Sequence, residues 1–350
     1  MAENYKNILI TGGCGFIGSN FIRHLYKRYP NYKIFNLDAL TYAGNTENLA
    51  DIEKDGMASK GERRYQFLKG DVCDALFLGN LFAEQKFETI VHFAAETHVD
   101  RSIFNVSDFV RTNIDGTHAL IAASRKYKIP RFIHISTDEI YGSVPEGVSK
   151  ENAALKPSNP YSTSKACADL LVQSYINTHN APAIIVRGSN NFGTYQYPEK
   201  LIPLAITNII ENEKIPIHGN GEHKRRWLHV EDFCEALDMV MHRAPLGSIY
   251  NVSGEEKSNM EILSIIAKVL GVDLDAYKTH TNDRPGADYR YAPDSTKINK
   301  ELGWSPRHSI NEDMPHIVSW YRNNEDWWRK IKAKKEYRDH YLKQSLAQWY

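Results

Sequence analysis

Neither sign of charge is in excess in this 350-residue chain: Lys and Arg together number 43, and so do Asp and Glu. A nucleic-acid binder uses surplus cation to displace counterions from phosphates, so no nucleic-acid partner is expected and a small substrate is. Long apolar runs are lacking. None approaches the roughly 20 residues of a membrane-spanning helix, and the polar start Met1–Asn7 leads straight into a strand, so no membrane partner and a cytoplasmic location are expected. Cysteine is scarce. Cys14, Cys73, Cys167 and Cys234 stand far apart with no C-x-x-C pair, which suits reduced core thiols and argues against a disulfide frame or a zinc site, so no metal is expected. Internal repeats and low-complexity tracts are also missing. What is present is a globular composition, 42% hydrophobic and 25% charged, in a chain long enough for one large or two intimate lobes.

The first half alternates short apolar runs with longer periodic stretches, the rhythm of a parallel sheet with crossover helices. Strands are predicted at Asn7–Thr11, Lys33–Leu37, Tyr65–Lys69, Thr89–Ala94, Arg131–Ile135 and Ala183–Arg187. Helices are predicted near Phe16–Tyr29, Leu76–Glu84, Asp108–Lys126 and Tyr161–Thr178. Asp38–Glu62 is a long polar insertion, read as a loop-rich segment over a cofactor. After Gly188, prolines and glycines interrupt the rhythm. The fold class is therefore a doubly wound α/β (Rossmann) domain over 1–187, then a smaller lobe over 188–330 that returns in part to the first, then a tail over 331–350. Helices in the smaller lobe are predicted near Glu199–Asn212, Val230–Met241, Asn259–Leu270 and Ile310–Trp320. Arg329–Lys343 carries seven basic and two acidic residues and reads as a solvated helix or frayed tail.

Thr11-Gly12-Gly13-Cys14-Gly15-Phe16-Ile17-Gly18 joins the first strand to the first helix. Glycines let the backbone turn tightly and approach a pyrophosphate, whose charge suits the free amides of a helix N-terminus. Asp38 ends the second strand 20 residues beyond Gly18, where a carboxylate accepts hydrogen bonds from a ribose and repels a 2′-phosphate. The implied cofactor is NAD rather than NADP. Asp71 and Val72, after the third strand, read as an adenine edge or as a helix cap. Tyr161 and Lys165 stand at i and i+4, on one face of a helix. A neighbouring ammonium is expected to lower the phenol towards neutrality, so that it takes a proton from a sugar hydroxyl.

Ser136-Thr137-Asp138-Glu139-Ile140-Tyr141-Gly142 adds two adjacent carboxylates at the C-terminal end of a central strand, where such sheets bind ligands. Burial and like-charge repulsion can hold one carboxyl protonated while the other ionises, which implies a second proton-transfer task.

Together with the glycine loop, the Tyr161/Lys165 spacing resembles the extended, nucleotide-sugar-modifying branch of the short-chain dehydrogenase/reductases, and the acid pair narrows the likeness to the dTDP-glucose 4,6-dehydratase family. Similar blocks recur at Ala94–Ser102, Thr112-Asn113, Ser189–Gly193, Tyr197–Pro203 and Asp283–Gly286, so the resemblance runs from residue 8 to about residue 305. It implies that Tyr161 deprotonates the C4 hydroxyl of a nucleotide-diphosphohexose as NAD oxidises C4. Glu139 then takes the C5 proton, Asp138 protonates the departing C6 hydroxyl, and reduction at C6 completes a hydro-lyase cycle; Thr137 binds the C4 oxygen and Lys165 grips the nicotinamide ribose. The cofactor positions it implies are Gly12, Gly15, Phe16, Ile17, Gly18, Asp38, Leu40, Thr41, Asp71, Val72, Phe93, Ala94, Ala95, Thr112, Ser136, Tyr161, Lys165 and Asn191. The substrate positions are Thr97, Thr137, Asn190, Lys200, Leu201, Pro216, His218, Arg225, Asn251, Asp283 and Arg284. A homodimer, built on Asp108–Lys126 and Tyr161–Thr178, is implied as well.

Four positions depart from the family pattern: Arg226 for an aspartate, Ala287 for a histidine, Gly188 for a cysteine and Thr194 for a proline. They leave UDP- or CDP-linked hexoses open as donors. A 4-epimerase of the same fold and a non-catalytic NAD-binding scaffold are the alternatives; the acid pair argues against the first and the intact Tyr161, Lys165 and carboxylates against the second. His98 and His134 read as structural.

Overall fold

A computed structural model describes residues 6–55, 63–346 and 349 of the protein. Twelve strands occur in it: β1 (Lys6–Thr11), β2 (Tyr32–Asp38), β3 (Tyr65–Lys69), β4 (Thr89–His92), β5 (Phe132–Thr137), β6 (Ala183–Gly188), β7 (Asn190–Phe192), β8 (Ile215–His218), β9 (Lys224–His229), β10 (Ile249–Val252), β11 (Glu255–Ser258) and β12 (Lys278–Thr281). Seven of them form one sheet in the order β10-β6-β5-β4-β1-β2-β3, and every pairing in it is parallel. Parallel strands are covered on both faces and so read as continuous apolar runs. Leu9, Ile10, Ile90, Val91, Ile133 and Ile184 are accordingly fully buried. The chain winds outward in both directions from the adjacent pair β1 and β4, so their carboxyl ends part to leave a crevice.

The six expected strands are all present. β4 stops at His92 rather than Ala94, because the chain swings outward there to wall the crevice. The helix expected over Asp108–Lys126 is three pieces: Val106–Phe109, a π-helical stretch Val110–Asp115, and Gly116–Lys126. A π-bulge re-aims side chains, and this one carries Arg111 and Thr112 to the crevice wall. In the polar insertion, Thr46–Leu49 is a 3-10 turn and Ala50–Asp55 a short helix; residues 56–62 lie outside the described residues.

The second lobe has its own core, with Phe192, Ile206, Trp227, Ile262, Ile310 and Trp328 packed together. It is threaded through the first. β10 completes the seven-stranded sheet, and the helix Val230–Arg243 seats Phe233, Leu237 and Val240 in the first lobe's core. The basic C-terminal stretch is not frayed. Helices Glu325–Lys332 and Lys335–Ser345 bury Trp327, Trp328, Ile331 and Tyr337, while Arg329 and Lys330 on the outer side pair with Glu211 at 2.6 Å and Glu47 at 3.0 Å. No helix among the described residues is long and apolar enough to cross a membrane.

Candidate active site

The glycine turn closes the amino side of the crevice. Gly12 has φ +72°, and a Cβ there would stand 2.6 Å from the Ala94 amide nitrogen. A Cβ at Gly18 would stand 2.4 Å from the Gly12 carbonyl oxygen, so the helix Phe16–Arg28 packs this close only with glycine. Asp38 locks the turn: its carboxylate accepts from the Cys14 amide at 2.9 Å and from the Leu40 amide at 2.8 Å. A cavity of about 320 Å³ runs along this turn, within the range of small-molecule sites. Every expected cofactor position lines it except Leu40, whose side chain stays out and whose amide acts only through Asp38. The close backbone approach at Gly12 and Gly18, the apolar walls of Ile17 and Val72 and the carboxylate at Asp38 fit a dinucleotide without a 2′-phosphate.

At the end of β5 the chain tightens into the 3-10 turn Asp138–Tyr141, whose start is held by the Glu139 amide donating to Thr137 Oγ1 at 3.3 Å. Asp138 is thereby turned inward. It is 1% exposed, its Oδ2 has no hydrogen-bond partner among the described residues, and burial together with the Glu139 charge pushes its carboxyl well above the usual range. Burial also raises Glu139, while Arg225 and Lys200 pull it back towards the ionised form. Burial thus raises both carboxyls; Arg225 acts against the rise at each, and Lys200 joins it at Glu139.

Tyr161 and Lys165 lie on one face of the helix Pro160–His179, which starts in a capping box between Asn159 and Ser162. The expected lowering of the phenol is not seen. Burial and the Glu139 charge push Tyr161 far above its ordinary value, opposed by a hydrogen bond with Thr137. Lys165 is itself pushed down to about 8 by burial, and it donates to the Ile135 carbonyl at 2.7 Å instead of serving the phenol.

A second cavity, about 170 Å³, adjoins the first and shares Thr97, Glu139, Asn190 and Lys200 with it. Leu201, Pro216, His218, Arg225, Asp283 and Arg284 line it, and Thr137 lines the first. Asn251 lines neither. It is fully buried on β10, accepting from the Tyr141 hydroxyl at 2.8 Å and donating to the Ser149 carbonyl at 2.9 Å, so its amide is consumed by the fold. Asn259, eight residues on, faces the second cavity from the first turn of helix Asn259–Leu270. The capping box Ser258/Glu261 that places it was legible as S-N-M-E. Tyr291, absent from the sequence-based set, has its hydroxyl 3.3 Å from Glu139 Oε2 and 2.9 Å from Asp288 Oδ2. Nothing local to Tyr291 signals this. The Arg225 guanidinium stacks 4.3 Å over the Tyr291 ring and donates to the Asp288 and Lys224 carbonyls, which fixes its direction.

Two of the four departures face these cavities. Gly188 lines the first, and a Cβ there would stand 2.9 Å from the Phe233 ring, so the small residue and the large one share a single space. Ala287 lines the second, whereas Arg226 and Thr194 line neither. His134 is fully buried among β-strand neighbours, and His98 walls the second cavity. His98, Glu199 and His340 each offer a ligand atom within a 4.8 Å group, but Arg101 already donates to Glu199 at 3.2 Å and puts its charge where a cation would sit.

The family model described as GDP-mannose 4,6 dehydratase matches residues 9–316. A dTDP-glucose 4,6-dehydratase of Streptomyces niveus is 43% identical over 334 residues, which is 94% of this chain and 96% of the relative. One from Escherichia coli is 40% identical over 354 residues, covering 93% and 96%. The crystal structure of a dTDP-glucose 4,6-dehydratase from Streptomyces venezuelae, solved with NAD bound, has a TM-score of 0.88 at 40% identity and covers 93% of this chain and 100% of its own.

Proposed function

We propose that this chain, which belongs to the GDP-mannose 4,6 dehydratase family and groups with its dTDP-glucose 4,6-dehydratases, is an NAD-dependent hydro-lyase that converts dTDP-glucose to the 4-keto-6-deoxy sugar. The observation that carries the reading is the position of Glu139: it lines both cavities, beside a buried Asp138 whose carboxyl is pushed well above the usual range by burial and the Glu139 charge. NAD, when bound along the glycine turn, supplies the two-electron carrier that oxidises C4 and afterwards reduces C6, so it is regenerated in each cycle.

Gly12, Gly15 and Gly18 admit the pyrophosphate, Asp38 takes the adenosine ribose, and Lys165 holds the other ribose. Tyr161 accepts the C4 hydroxyl proton only in its ionised form, which burial and the Glu139 charge oppose, so the step requires that the phenol first lose its own proton; Thr137 is placed to bond the C4 oxygen. A ketone at C4 acidifies C5. Glu139 removes the C5 proton while Asp138 delivers its proton to the C6 hydroxyl and water leaves; a proton then returns to C5 as C6 is reduced, which gives the 4-keto-6-deoxy sugar. Arg225 offers its fixed fork to the diphosphate. Incubation with dTDP-glucose, UDP-glucose and UDP-N-acetylglucosamine, each followed by mass spectrometry, tests this reading: loss of one water from dTDP-glucose is expected, and no mass change on any of the three overturns it.

The protein acts as a cytoplasmic homodimer in this reading. Val106, just before the π-bulge, Val110, at its start, and Leu170, on helix Pro160–His179, are large apolar side chains left exposed, which is the surface such a pairing would cover. Light scattering that returned a monomer mass would remove the dimer from the proposal.

A further inference from the structure

The hydrogen-bonded line that starts at Glu139 does not end at Tyr291. Asp288 Oδ2, 2.9 Å from the Tyr291 hydroxyl, also accepts from the Ser158 hydroxyl, so Glu139, Tyr291, Asp288 and Ser158 form one unbroken line. Its inner members are shielded, with Tyr291 3% and Asp288 5% exposed, while Ser158 is exposed at the surface. Three separate pieces of chain meet in it. Glu139 stands just beyond β5, Ser158 just before the Asn159 cap of helix Pro160–His179, and Asp288 and Tyr291 just after the block Asp283–Gly286. Gly286 makes the meeting possible. It has φ +68°, and a Cβ there would stand 2.6 Å from the Ser158 carbonyl oxygen, so only glycine lets this turn lie against Ser158.

This inference rests on the functional reading above, in which Glu139 takes a proton from C5 and a proton later returns there. The order of donors gives the line a direction. While Glu139 is ionised, the Tyr291 hydroxyl has a carboxyl group on either side and a single proton to offer. Once Glu139 carries the C5 proton it becomes a donor, Tyr291 accepts from it, and the Tyr291 proton turns to Asp288. At 3.3 Å the Glu139 link is long, as catalytic hydrogen bonds often are before substrate is seated. We propose that Tyr291, Asp288 and Ser158 form a proton exit from Glu139 to solvent, through which the hydrogen returned to C5 is exchanged with water while the sugar fills the cavity. In the outward step the Glu139 O–H bond breaks as a Tyr291 O–H bond forms, and the original Tyr291 O–H bond breaks as Asp288 Oδ2 is protonated. Asp288 then passes a proton to the Ser158 oxygen as the Ser158 hydroxyl, a free rotor, gives its own to water. One proton leaves in all. Each hydroxyl gains a proton as it loses one, so no phenolate is needed, and the inward step is the reverse.

The test runs the NAD-loaded protein on dTDP-glucose in deuterated water at low conversion. Borohydride stops the reaction, so that C5 no longer exchanges beside a ketone, and NMR reads the deuterium at C5. Wild type is expected to give mostly deuterium there. Asp288→Asn, whose amide does not pass a proton on, and Tyr291→Phe, which lacks the hydroxyl, are expected to shift the product towards the substrate's own hydrogen at C5. Ser158→Ala is expected to shift it less, because water replaces a surface hydroxyl. The direction separates an exit from mere support of the base: a variant that only slows the later steps gives the proton longer to exchange, so deuterium holds or rises. A wild type that retains the substrate's hydrogen overturns the exit, and so do variants whose product is as deuterated as the wild type's. If Asp288→Asn does not turn over, Tyr291→Phe decides by the same readout. A wild type that does not dehydrate dTDP-glucose overturns the functional reading, and the exit with it; dehydration with indifferent variants overturns the exit alone.

Discussion

Tyr291 holds its hydroxyl 3.3 Å from Glu139 Oε2, although the two residues are 152 positions apart in the chain. The same hydroxyl lies 2.9 Å from Asp288, so a single proton is shared between two carboxylates and the ring is braced from both sides. Tyr291 is a positioning residue for the proposed base. Tyr291→Phe should lower kcat for water loss several-fold, in keeping with about 1 kcal/mol for a long hydrogen bond, while dTDP affinity is kept. An unchanged kcat would remove Tyr291 from the base's support.

Glu139→Gln preserves shape and removes the base. Water loss from dTDP-glucose should fall by roughly 10² to 10⁴, the usual worth of general base catalysis, with NAD still bound. Exchange of the C5 hydrogen with deuterated solvent should vanish along with it. Dehydration at an undiminished rate would show that another group takes the C5 proton.

The raised carboxyls predict a bell-shaped pH–rate profile. Activity is lost on the acid side as Glu139 takes a proton, at a pH above that of an ordinary glutamate, because burial raises it. It is lost on the alkaline side as Asp138 gives up the proton it must donate. In Asp138→Asn the residual activity should lack the alkaline limb assigned to this carboxyl.

Asp138 also bears on stability. Its pKa is higher folded than unfolded, so between those values the folded state binds more protons, and stability falls as pH rises through that window. Asp138→Asn escapes this loss. In the cofactor-free protein it should melt higher than wild type at neutral pH while losing activity, and the gap should close as the pH falls below the ordinary aspartate value. A lower melting temperature for the variant at neutral pH would contradict the protonated burial of Asp138.

Gly188 and Phe233 occupy one space. Gly188→Cys should destabilise by about 1–3 kcal/mol through overpacking, and Phe233→Leu in the same protein should recover much of it. Additive effects in a denaturation cycle would mean that the two side chains do not compete.

The chain's own sequence determined the features that a single element or turn can hold. Gly12, Gly15 and Gly18 form one turn, Asp38 closes the next strand, Tyr161 and Lys165 share one helical face, and Asp138 and Glu139 are neighbours. The spacing of 3.6 residues per turn and the strand-end position of ligands in parallel sheets make these readable without coordinates. The tertiary structure decided what depends on segments far apart in the chain. It spent Asn251 on Tyr141 and Ser149 and brought Asn259 to the cavity in its place. It set Tyr291 against Glu139 and folded the basic C-terminal stretch inward, so that Gln344 became part of the cavity wall. It also reversed the expected shift of Tyr161, because desolvation and the charge of Glu139 outweigh an ammonium committed to the Ile135 carbonyl. Burial and long-range pairing are properties of the packed whole, and no local spacing encodes them.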